Sequence, residues 1–388
     1  MIFFNKYMSI DFSKVPTPCY LIEEGLLRRN LRLIQSLKEE TGVNIILAFK
    51  GFSMWKAFPV IREYITGAAA SGAYEARLAA EEMQTLAHTY SPAFQLSDFS
   101  EVMEYSSHIT FNSLSQLERF LPIVKNHSPK ISVGIRVNPE FSPVGTALYN
   151  PCAPGSRLGI LAGQLGDELP EGVEGLHFHT LCESDAVDLE QTIGSFESKF
   201  GKYLNKIKWV NMGGGHLMTR AGYDTGRLIN ILRDFRNRWN GIEVILEPGS
   251  AFAWETGVLV SEVVDIVVNK GIKTAILNVS FTAHMPDCIE MPYKPGIRSA
   301  YHEVIEAKPT YRMGGNSCLA GDFIGFWSFD HELRQGDKII FEDMIHYTLV
   351  KSTMFNGVQH PSIGMLCENG EFKLLRSFDY FDFKNRMD

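Results

Sequence analysis

Five groups of residues suited to chemistry each follow an apolar stretch in the first 250 residues of the chain. Lys50 follows IILAF, Arg136 follows ISVGI, His179 closes GLHFH, Gly213–Gly215 follow WVNM, and Glu247 follows EVIL. Such apolar stretches predict buried strands, and placing an ammonium group at the end of one carries a desolvation cost. Lys50 therefore either forms an ion pair or reacts covalently as a neutral amine.

The glycines and the histidines each have a structural and a chemical interpretation. Consecutive glycines expose backbone N–H groups that suit a phosphate, although a flexible turn is the commoner reason for an isolated Gly-Gly-Gly. His177 and His179 alternate along a predicted strand and so share a face. A zinc site would need a further ligand, such as Cys182 or Glu183. We favour ring packing for His179 and an ordinary core position for His177.

Glu247 completes a set that one cofactor explains. A carboxylate at the end of an apolar strand needs a partner, either a nearby arginine or a protonated ring nitrogen. A lysine, a phosphate-binding turn, a stacking ring and a carboxylate facing a ring nitrogen together predict pyridoxal 5′-phosphate, with Lys50 as its Schiff-base residue. We expect no metal ion.

The elements that must position these residues form a repeating pattern. Amphipathic segments such as AYEARLAAEEM and GRLINILRDFRNRW separate apolar runs, which are NIILAFKG, YITGAAASG, AFQLSD, HITFNS, ISVGIRVNP, GLHFHT, KWVNMGGG and EVILEPG. Eight strand-like runs alternating with helices predict a (β/α)₈ TIM barrel, in which functional groups lie at the carboxyl ends of the strands. A doubly wound α/β sheet is the alternative, because alternation alone does not show closure.

After residue 257 the pattern changes to β-type runs with few helical segments between them. VLVSEVVDIVVNKG, TAILNVSF, DKIIFED and EFKLLRSF are examples. We therefore predict an α/β chain with a barrel over residues 26–257 and a mostly β domain over residues 258–388. The strand-like segment TPCYLIEEG leads us to expect that residues 1–25 complete this second domain.

Composition restricts the setting and the partners of the protein. The 388 residues include 37 Lys and Arg against 45 Asp and Glu, a net charge of −8, and they contain no basic block. This charge pattern argues against nucleic acid as a partner. The six cysteines are scattered without a C-x-x-C pair, and no apolar stretch reaches transmembrane length. We expect a reduced, cytoplasmic protein that does not bind membranes.

An ordered set of motifs resembles a known family from end to end. TPCYLIEE, AFK, HFH, GGG, EPG, GNSC and HYTLVKSTMFNG occur in that order. The chain thus resembles the fold-type III pyridoxal-phosphate decarboxylases, which act on ornithine, arginine, diaminopimelate and related amino acids. The resemblance implies an alanine-racemase-like barrel, a β domain and a homodimer with shared active sites.

The resemblance also implies roles for the cofactor residues. Lys50 holds the cofactor, His179 stacks on its ring, and Glu247 pairs with the ring nitrogen. Gly213, Gly214 and Gly215 hold the phosphate together with Tyr347, and Arg136 is assigned to the same cofactor site. The chain departs from the family pattern at Ser250, where a phosphate-binding arginine is usual, and at Cys182, where a serine is usual.

On the substrate side, Cys318 of GNSCLAGD matches the cysteine that protonates the carbanion from the partner subunit, and Asp322 matches a substrate contact. HTLCES, HMPDCIEMPYKPG and GNSCLAGD resemble the carboxynorspermidine (carboxyspermidine) decarboxylases in particular. Independently, Asp287 and Glu290 are spaced to share one face of a helical turn, which suits the protonated amines of a triamine. We include His284 of the same segment in the predicted substrate site.

Three alternatives stay open. A racemase of this fold would place arginine at the ring nitrogen, whereas this chain has Glu247. A diaminopimelate or other basic amino-acid decarboxylase is the alternative within the family, although a second substrate carboxylate would need a cation where the HMPDCIEM segment has acids. A non-catalytic homologue is the third, and such proteins can lose the lysine or the cysteine that Lys50 and Cys318 retain.

Overall fold

The computed structural model describes residues 11–388, which divide into two compact units. One unit contains residues 28–252, and the other combines residues 11–27 with residues 253–388. The predicted boundaries followed residues 25 and 257, and the part of that prediction concerning residues 1–10 lies outside the described residues. The segment before the barrel and the C-terminal third of the chain therefore form one unit.

The strands fall into two sheets, one in each unit. In chain order they are β1 (Cys19–Glu23), β2 (Asn44–Ile45), β3 (Leu47–Ala48), β4 (Ala68–Ala70), β5 (Ala87–Tyr90), β6 (Ser106–Phe111), β7 (Ser132–Arg136), β8 (Gly175–His177), β9 (Trp209–Asn211), β10 (Glu243–Leu246), β11 (Gly257–Asn269), β12 (Ile272–Leu277), β13 (Thr310–Gly314), β14 (Phe323–Ser328), β15 (Lys338–Glu342), β16 (Ser362–Leu366) and β17 (Phe372–Arg376).

In chain order the helices are α1 (Glu24–Thr41), α2 (Phe58–Arg62), α3 (Ala73–Leu78), α4 (Phe99–Glu104), α5 (Leu114–Lys125), α6 (Ala186–Leu204), α7 (Thr225–Arg238), α8 (Ser250–Ala253), α9 (Phe281–His284), α10 (Asp287–Glu290) and α11 (Tyr380–Lys384). Within residues 11–388, none of them combines the length and the apolar composition needed to cross a membrane. Four of these described helices have twelve or more residues, of which α1 precedes the first sheet and α5, α6 and α7 lie between its strands.

The first sheet is a closed barrel. Its strands are all parallel, in the order β2-β10-β9-β8-β7-β6-β5-β4-β3, so the path begins and ends on the two halves of the segment 44–48. The joining residue Ile46 donates its N–H to Leu246 O at 2.9 Å, and Leu47 donates to Gly67 O at 3.2 Å. This closure confirms the predicted (β/α)₈ barrel and excludes the doubly wound alternative.

Two glycines make room for an indole inside the barrel unit. A Cβ atom on Gly134 of β7 would lie 2.2 Å from the ring of Trp209, and one on Gly175 of β8 would lie 2.0 Å from it. The indole packs in a buried cluster with aliphatic side chains of neighbouring strands and donates to Ser132 Oγ at 2.9 Å. A side chain at either glycine would displace the indole, because barrel interiors are close-packed.

One predicted strand was placed wrongly. The run AFQLSD, residues 93–98, contains no strand, and the third barrel strand is β5, six residues earlier. The apolar content of the run comes from Phe94, whose ring packs edge-on against Phe111 and Phe120 at centroid distances of 5.7 and 6.3 Å. A loop that buries one aromatic ring resembles a short apolar strand in sequence.

The second sheet lies in the other unit and has the order β14-β13-β12-β11-β1-β16-β17, with β15 also paired to β11. β11 organises it. Its buried first half pairs with β1 and β15, and its more exposed second half pairs with β12 after a register shift between Val263 and Asp265. β1 lies between β11 and β16, so the N-terminal segment forms an interior strand of this sheet.

Candidate active site

The predicted barrel residues all lie at the carboxyl ends of barrel strands. Lys50 lies two residues beyond β3, Arg136 is the last residue of β7, His179 follows β8, and Glu247 directly follows β10. The glycine turn begins two residues after the end of β9. Parallel strands bring their carboxyl ends to one rim of a barrel, where the loops build active sites. The structure therefore gathers these residues on one rim.

Glu247 is buried and held on both of its oxygens. Oε2 accepts a hydrogen bond from Asn211 Nδ2 at 3.0 Å, and Oε1 lies 3.3 Å from His177 Nε2. Burial would raise the pKa of the carboxyl, but the neighbouring His177 and Lys50 outweigh it and hold the pKa well below its ordinary value. Glu247 is therefore an ionised carboxylate at neutral pH.

His179 is fixed in one tautomer by the backbone. Its Nδ1 accepts the N–H of Gly214 at 2.8 Å, so the neutral ring carries its hydrogen on Nε2. Arg136 donates to His179 O at 3.1 Å, which fixes the main chain at the same residue. Burial, followed by the nearby Lys50 and Arg136, lowers the pKa of His179 well below its ordinary value. The ring is therefore neutral.

Lys50 contacts this ring. Its Nζ lies 3.4 Å from His179 Nε2. Burial lowers the pKa of Lys50, and the charge of Glu247 only partly opposes that effect. Because the neutral His179 carries its hydrogen on Nε2, it can donate to the lone pair of an unprotonated Lys50 amine. Such an amine is the nucleophilic form of lysine.

The N–H groups of the glycine turn have different acceptors. Gly213 donates its N–H to Asn211 Oδ1 at 2.8 Å, and Gly214 donates to His179. Among the described residues, only the Gly215 N–H of the three has no protein acceptor. Two of the donors thus fix side chains of the site, and the phosphate-binding role of the three glycines stays a prediction.

The turn nevertheless requires glycine. Gly213 and Gly215 have φ values of +72° and +88°, a region that residues with a Cβ rarely adopt. A Cβ on Gly214 would lie 2.4 Å from Glu247 O, and one on Gly215 would lie 2.2 Å from Leu181 O. The backbone thus passes close to the strand ends on both sides without any side chain between them.

Arg136 acts on the site through other residues. Its guanidinium lies over the ring of Tyr90, 4.6 Å from the centroid, and donates to His179 O. Tyr90 in turn meets the edge of His177 at 5.4 Å. The contacts of Arg136 thus place it as a positioning residue for both histidines.

The donor atoms of His177, His179 and Glu247 lie within 4.8 Å of one another, which makes this set the candidate metal group of the described residues. Two of its three members already accept hydrogen bonds within the protein. His179 Nδ1 receives the Gly214 N–H, and Glu247 Oε2 receives the Asn211 amide. The group is organised to hold an ionised carboxylate rather than to present three vacant ligands.

These residues fit pyridoxal phosphate. They provide a buried lysine with a lowered pKa, a neutral ring, an ionised carboxylate and a turn that no side chain can fill. Lys50 would hold the cofactor, Glu247 would face its ring nitrogen, and the turn at Gly215 would face its phosphate.

In the β unit, both carboxylate oxygens of Asp322 accept hydrogen bonds within the protein, and its substrate contact stays a prediction. Its Oδ1 accepts the N–H groups of Phe281 and Thr282 at 2.8 and 3.2 Å, and its Oδ2 accepts the N–H and the hydroxyl of Ser317 at 3.1 and 2.6 Å. Both oxygens are thus engaged. Asp322 ties the loop before Cys318 to the start of α9.

Asp287 and Glu290 lie on one turn, as their spacing predicted, since they begin and end α10. Both contact the same cation. Lys351 Nζ lies 2.6 Å from Asp287 Oδ1 and also contacts Glu290 Oε2. The lysine neutralises part of the acidic charge that the sequence placed on this turn.

The other predicted residues of the β unit have different surroundings. His284 is completely buried and accepts the Ser280 N–H on Nδ1 at 3.1 Å, and burial lowers its pKa to about 3. Cys318 is exposed, and its N–H donates to Asn356 Oδ1 at 2.8 Å. Tyr347 is half-buried and meets the His346 ring edge-on at 6.3 Å. His284 is thus a neutral core histidine.

Sequence reasoning missed Asn211 and assigned His177 to the ordinary core. Asn211 links the glycine turn to Glu247 with its two amide atoms, and an asparagine two residues before a glycine is a recognisable turn signal. His177 shares its strand face with His179, so the spacing already placed both beside the same carboxylate. Lys351 was also missed.

The chain matches one family model over most of its length. That model describes the pyridoxal-dependent decarboxylases with a C-terminal sheet domain, and it matches residues 19–345. The matched range includes the cofactor residues of the barrel and most of the β unit.

Known proteins match along nearly the whole chain. A carboxyaminopropylagmatine decarboxylase from Synechocystis sp. is 50% identical over 97% of this chain and 96% of its own length. A carboxynorspermidine/carboxyspermidine decarboxylase from Campylobacter jejuni is 43% identical over 97% of this chain and 99% of its own. The crystal structure of carboxynorspermidine decarboxylase from Campylobacter jejuni in complex with norspermidine superposes with a TM-score of 0.89 at 42% identity, covering 96% of this chain and 100% of that one.

Proposed function

The chain belongs to the pyridoxal-dependent decarboxylases with a C-terminal sheet domain, and on that basis we propose that it decarboxylates carboxynorspermidine or carboxyspermidine to norspermidine or spermidine in polyamine biosynthesis. Family membership confirms the predicted pyridoxal 5′-phosphate cofactor and the predicted decarboxylase activity. The observation that carries the proposal is the ionised Glu247, held by Asn211 and His177 at the barrel rim.

Glu247 favours decarboxylation over racemisation. When bound, the pyridoxal ring accepts the electron pair that the departing carboxylate leaves behind, and it does so best with its nitrogen protonated. An ionised carboxylate stabilises that proton, whereas an arginine would disfavour it. Lys50 provides the amine that would hold the cofactor, and the neutral His179 packs beside it with its hydrogen on Nε2.

The β unit supplies the residues proposed for the substrate and for proton return. We assign the proton donor to the thiol of Cys318, whose main chain is fixed by Asn356. Asp287 and Glu290 together with Lys351 form a cluster of two carboxylates and one ammonium, which keeps a net negative charge. Such a cluster attracts the cationic tail of a triamine and disfavours a substrate with a second carboxylate.

A second substrate is favoured by the relative at 50% identity. Carboxyaminopropylagmatine ends in a guanidinium group, where the carboxytriamines end in an ammonium group. A guanidinium pairs with carboxylates through two parallel hydrogen bonds and is more weakly hydrated than an ammonium. The acidic turn α10 suits either tail, so the comparison of the two substrates is part of the test.

We also propose a cytoplasmic homodimer in which Cys318 serves the partner subunit. Large apolar side chains are exposed in the segments near Cys318, namely Leu319, Phe323 and Phe355. Exposed apolar groups beside a reactive residue are typical of surfaces that another chain covers. All six cysteines are free thiols in the structure, as the reducing cytoplasm favours.

The test is CO₂ release by the cofactor-loaded protein. We would compare carboxynorspermidine, carboxyspermidine, carboxyaminopropylagmatine, diaminopimelate and ornithine at equal concentration, with Lys50→Ala protein as the control. Turnover of the carboxytriamines above all others supports the proposal. Preferential turnover of carboxyaminopropylagmatine would select the second candidate, and turnover confined to diaminopimelate or ornithine would refute both.

A further inference from the structure

His177 is a buried histidine for which the proposed chemistry has no role. Its side chain is 1% exposed, and its Nε2 lies 3.3 Å from Oε1 of Glu247. The opposite oxygen of Glu247 is bound by Asn211. The carboxylate is therefore clamped between an amide and an imidazole, and the imidazole lies on the oxygen that the amide leaves uncovered.

The tautomer of His177 follows from this arrangement. An unprotonated Nε2 facing a carboxylate oxygen would place two acceptors against each other in a buried site, so Nε2 carries the hydrogen. The ring is neutral, because burial disfavours its charged form and lowers its pKa. Neutral His177 thus places an N–H dipole beside the charged oxygen, with Nε2 at 3.3 Å and outside hydrogen-bond geometry.

The ring cannot easily turn away from Glu247. The edge of His177 meets the Tyr90 ring at 5.4 Å, and the Tyr90 hydroxyl donates to Asn112 Oδ1 at 2.8 Å. Arg136 covers the face of the same tyrosine. These contacts lock the imidazole in the orientation that points Nε2 at the carboxylate.

We propose that His177 is a positioning residue that keeps the proton on the cofactor ring nitrogen by stabilising the ionised form of Glu247. The inference rests on the proposed role of Glu247 at that nitrogen. A proton shared between a ring nitrogen and a carboxylate resides on the nitrogen when the carboxylate is the weaker base, and the N–H dipole of His177 beside Oε1 makes it weaker. The titratable or charged groups around Glu247 are Lys50, His177 and His179. The charge of Glu247 also acts, more weakly, on the pKa values of His88 and His216.

The test reads the protonation state of the ring nitrogen directly. The holoenzyme is prepared with nitrogen-15 in the pyridine ring, and the chemical shift of that nitrogen, which differs between a protonated and an unprotonated ring, is measured by NMR at neutral pH. Four variants are compared with the wild type: His177→Leu, His177→Gln, His177→Asn and Glu247→Gln. Gln places an amide donor near the position of Nε2, Asn places one near Nδ1, and Leu places none.

In His177→Leu and His177→Asn, we expect the chemical shift of the ring nitrogen at neutral pH to move toward that of an unprotonated pyridine, because Glu247 becomes the stronger base and takes the shared proton. His177→Gln should restore most of the wild-type chemical shift. Equal chemical shifts in the wild type, Leu and Asn proteins would overturn the proposal. If His177→Leu fails to fold, the comparison of His177→Asn with His177→Gln tests the proposal. A purely structural role would not make the result depend on whether the amide N–H lies near the position of Nδ1 or of Nε2.

Glu247→Gln separates this proposal from the function on which it rests. Loss of the ring-nitrogen proton in Glu247→Gln at neutral pH, without any change in the His177 variants, refutes the role of His177 alone. An unchanged chemical shift in Glu247→Gln refutes the assignment of Glu247 and the role of His177 with it. Neither result depends on the substrate, whose identity is tested separately by CO₂ release.

Discussion

Replacing Gly215 by alanine tests whether the glycine turn is needed for close packing of the backbone. A Cβ at this position would lie 2.2 Å from Leu181 O, at a φ of +88°. The positive φ costs about 1–2 kcal/mol, and forcing an atom against main chain costs about 1–3 kcal/mol more. We therefore expect Gly215→Ala to lower the free energy of unfolding by about 2–5 kcal/mol.

Two other glycines separate these costs. Gly222 has a φ of +82°, and no atom lies within 4 Å of the position that a Cβ would take there. Gly222→Ala should therefore show only the conformational cost of about 1–2 kcal/mol. Gly214 lies outside the left-handed region, but its Cβ would lie 2.4 Å from Glu247 O, so Gly214→Ala should show only the steric cost.

The assay is urea-induced unfolding followed by tryptophan fluorescence, with cofactor loading measured by absorbance in the same samples. Gly214→Ala and Gly215→Ala should both reduce cofactor affinity, because the turn must move relative to His179 and Glu247. Gly222→Ala should load normally. If Gly215→Ala costs no more stability than Gly222→Ala, the close approach of the backbone is not what requires glycine at the turn.

Three further changes probe other parts of the chain. Lys351→Met should lower the KM for cationic substrates at low salt by removing a positive charge from α10, and an unchanged KM would count against the acidic turn as the tail site. Lys50→Ala and Cys318→Ala proteins, each inactive, should regain activity when mixed if active sites are shared between subunits, and persistent inactivity would contradict sharing. Burial lowers the pKa of His88 to about 3 and that of its stacked neighbour His108 to about 4, so the unfolded state binds more protons below pH 6.5. Between pH 6.5 and about pH 4, stability should therefore fall on acidification by about 1.4 kcal/mol per pH unit for each such histidine, and urea unfolding of His88→Gln should show a smaller fall.

Most of the barrel could be predicted because its strands repeat one local pattern, an apolar run ending in a polar group or a glycine. That pattern placed Lys50, His179 and Glu247 at strand ends, and barrel closure brought the strand ends to one rim. It failed at residues 93–98, where Phe94 gave a loop the apolar content of a strand. Local apolar composition predicts that a segment is buried, but it does not show whether the segment is buried in a sheet or in a cluster of aromatic rings.

The partners of the site residues were harder to predict from the sequence, because they depend on contacts between segments that are distant in the chain. Lys351 lies 64 residues from Asp287 in the chain, so no local spacing shows that it neutralises the acidic turn. Asp322 lies in a sequence motif that suggested a substrate contact, yet its oxygens accept hydrogen bonds from the backbone of α9 and of the loop before Cys318. Charge and spacing identified these carboxylates, whereas only the fold identifies what each one binds.

The barrel rim holds neighbouring groups in opposite ionisation states, and this separation is what suits it to the proposed chemistry. Glu247 stays charged because Asn211 and His177 act on its oxygens, while burial keeps His179 neutral and lowers the pKa of Lys50. Divergent environments of this kind assign the roles of titratable groups. A lysine with a lowered pKa gives up its proton more readily to attack the cofactor, and an ionised glutamate can stabilise a proton on it. The glycine turn serves both, since Gly213 orients Asn211 and Gly214 orients His179.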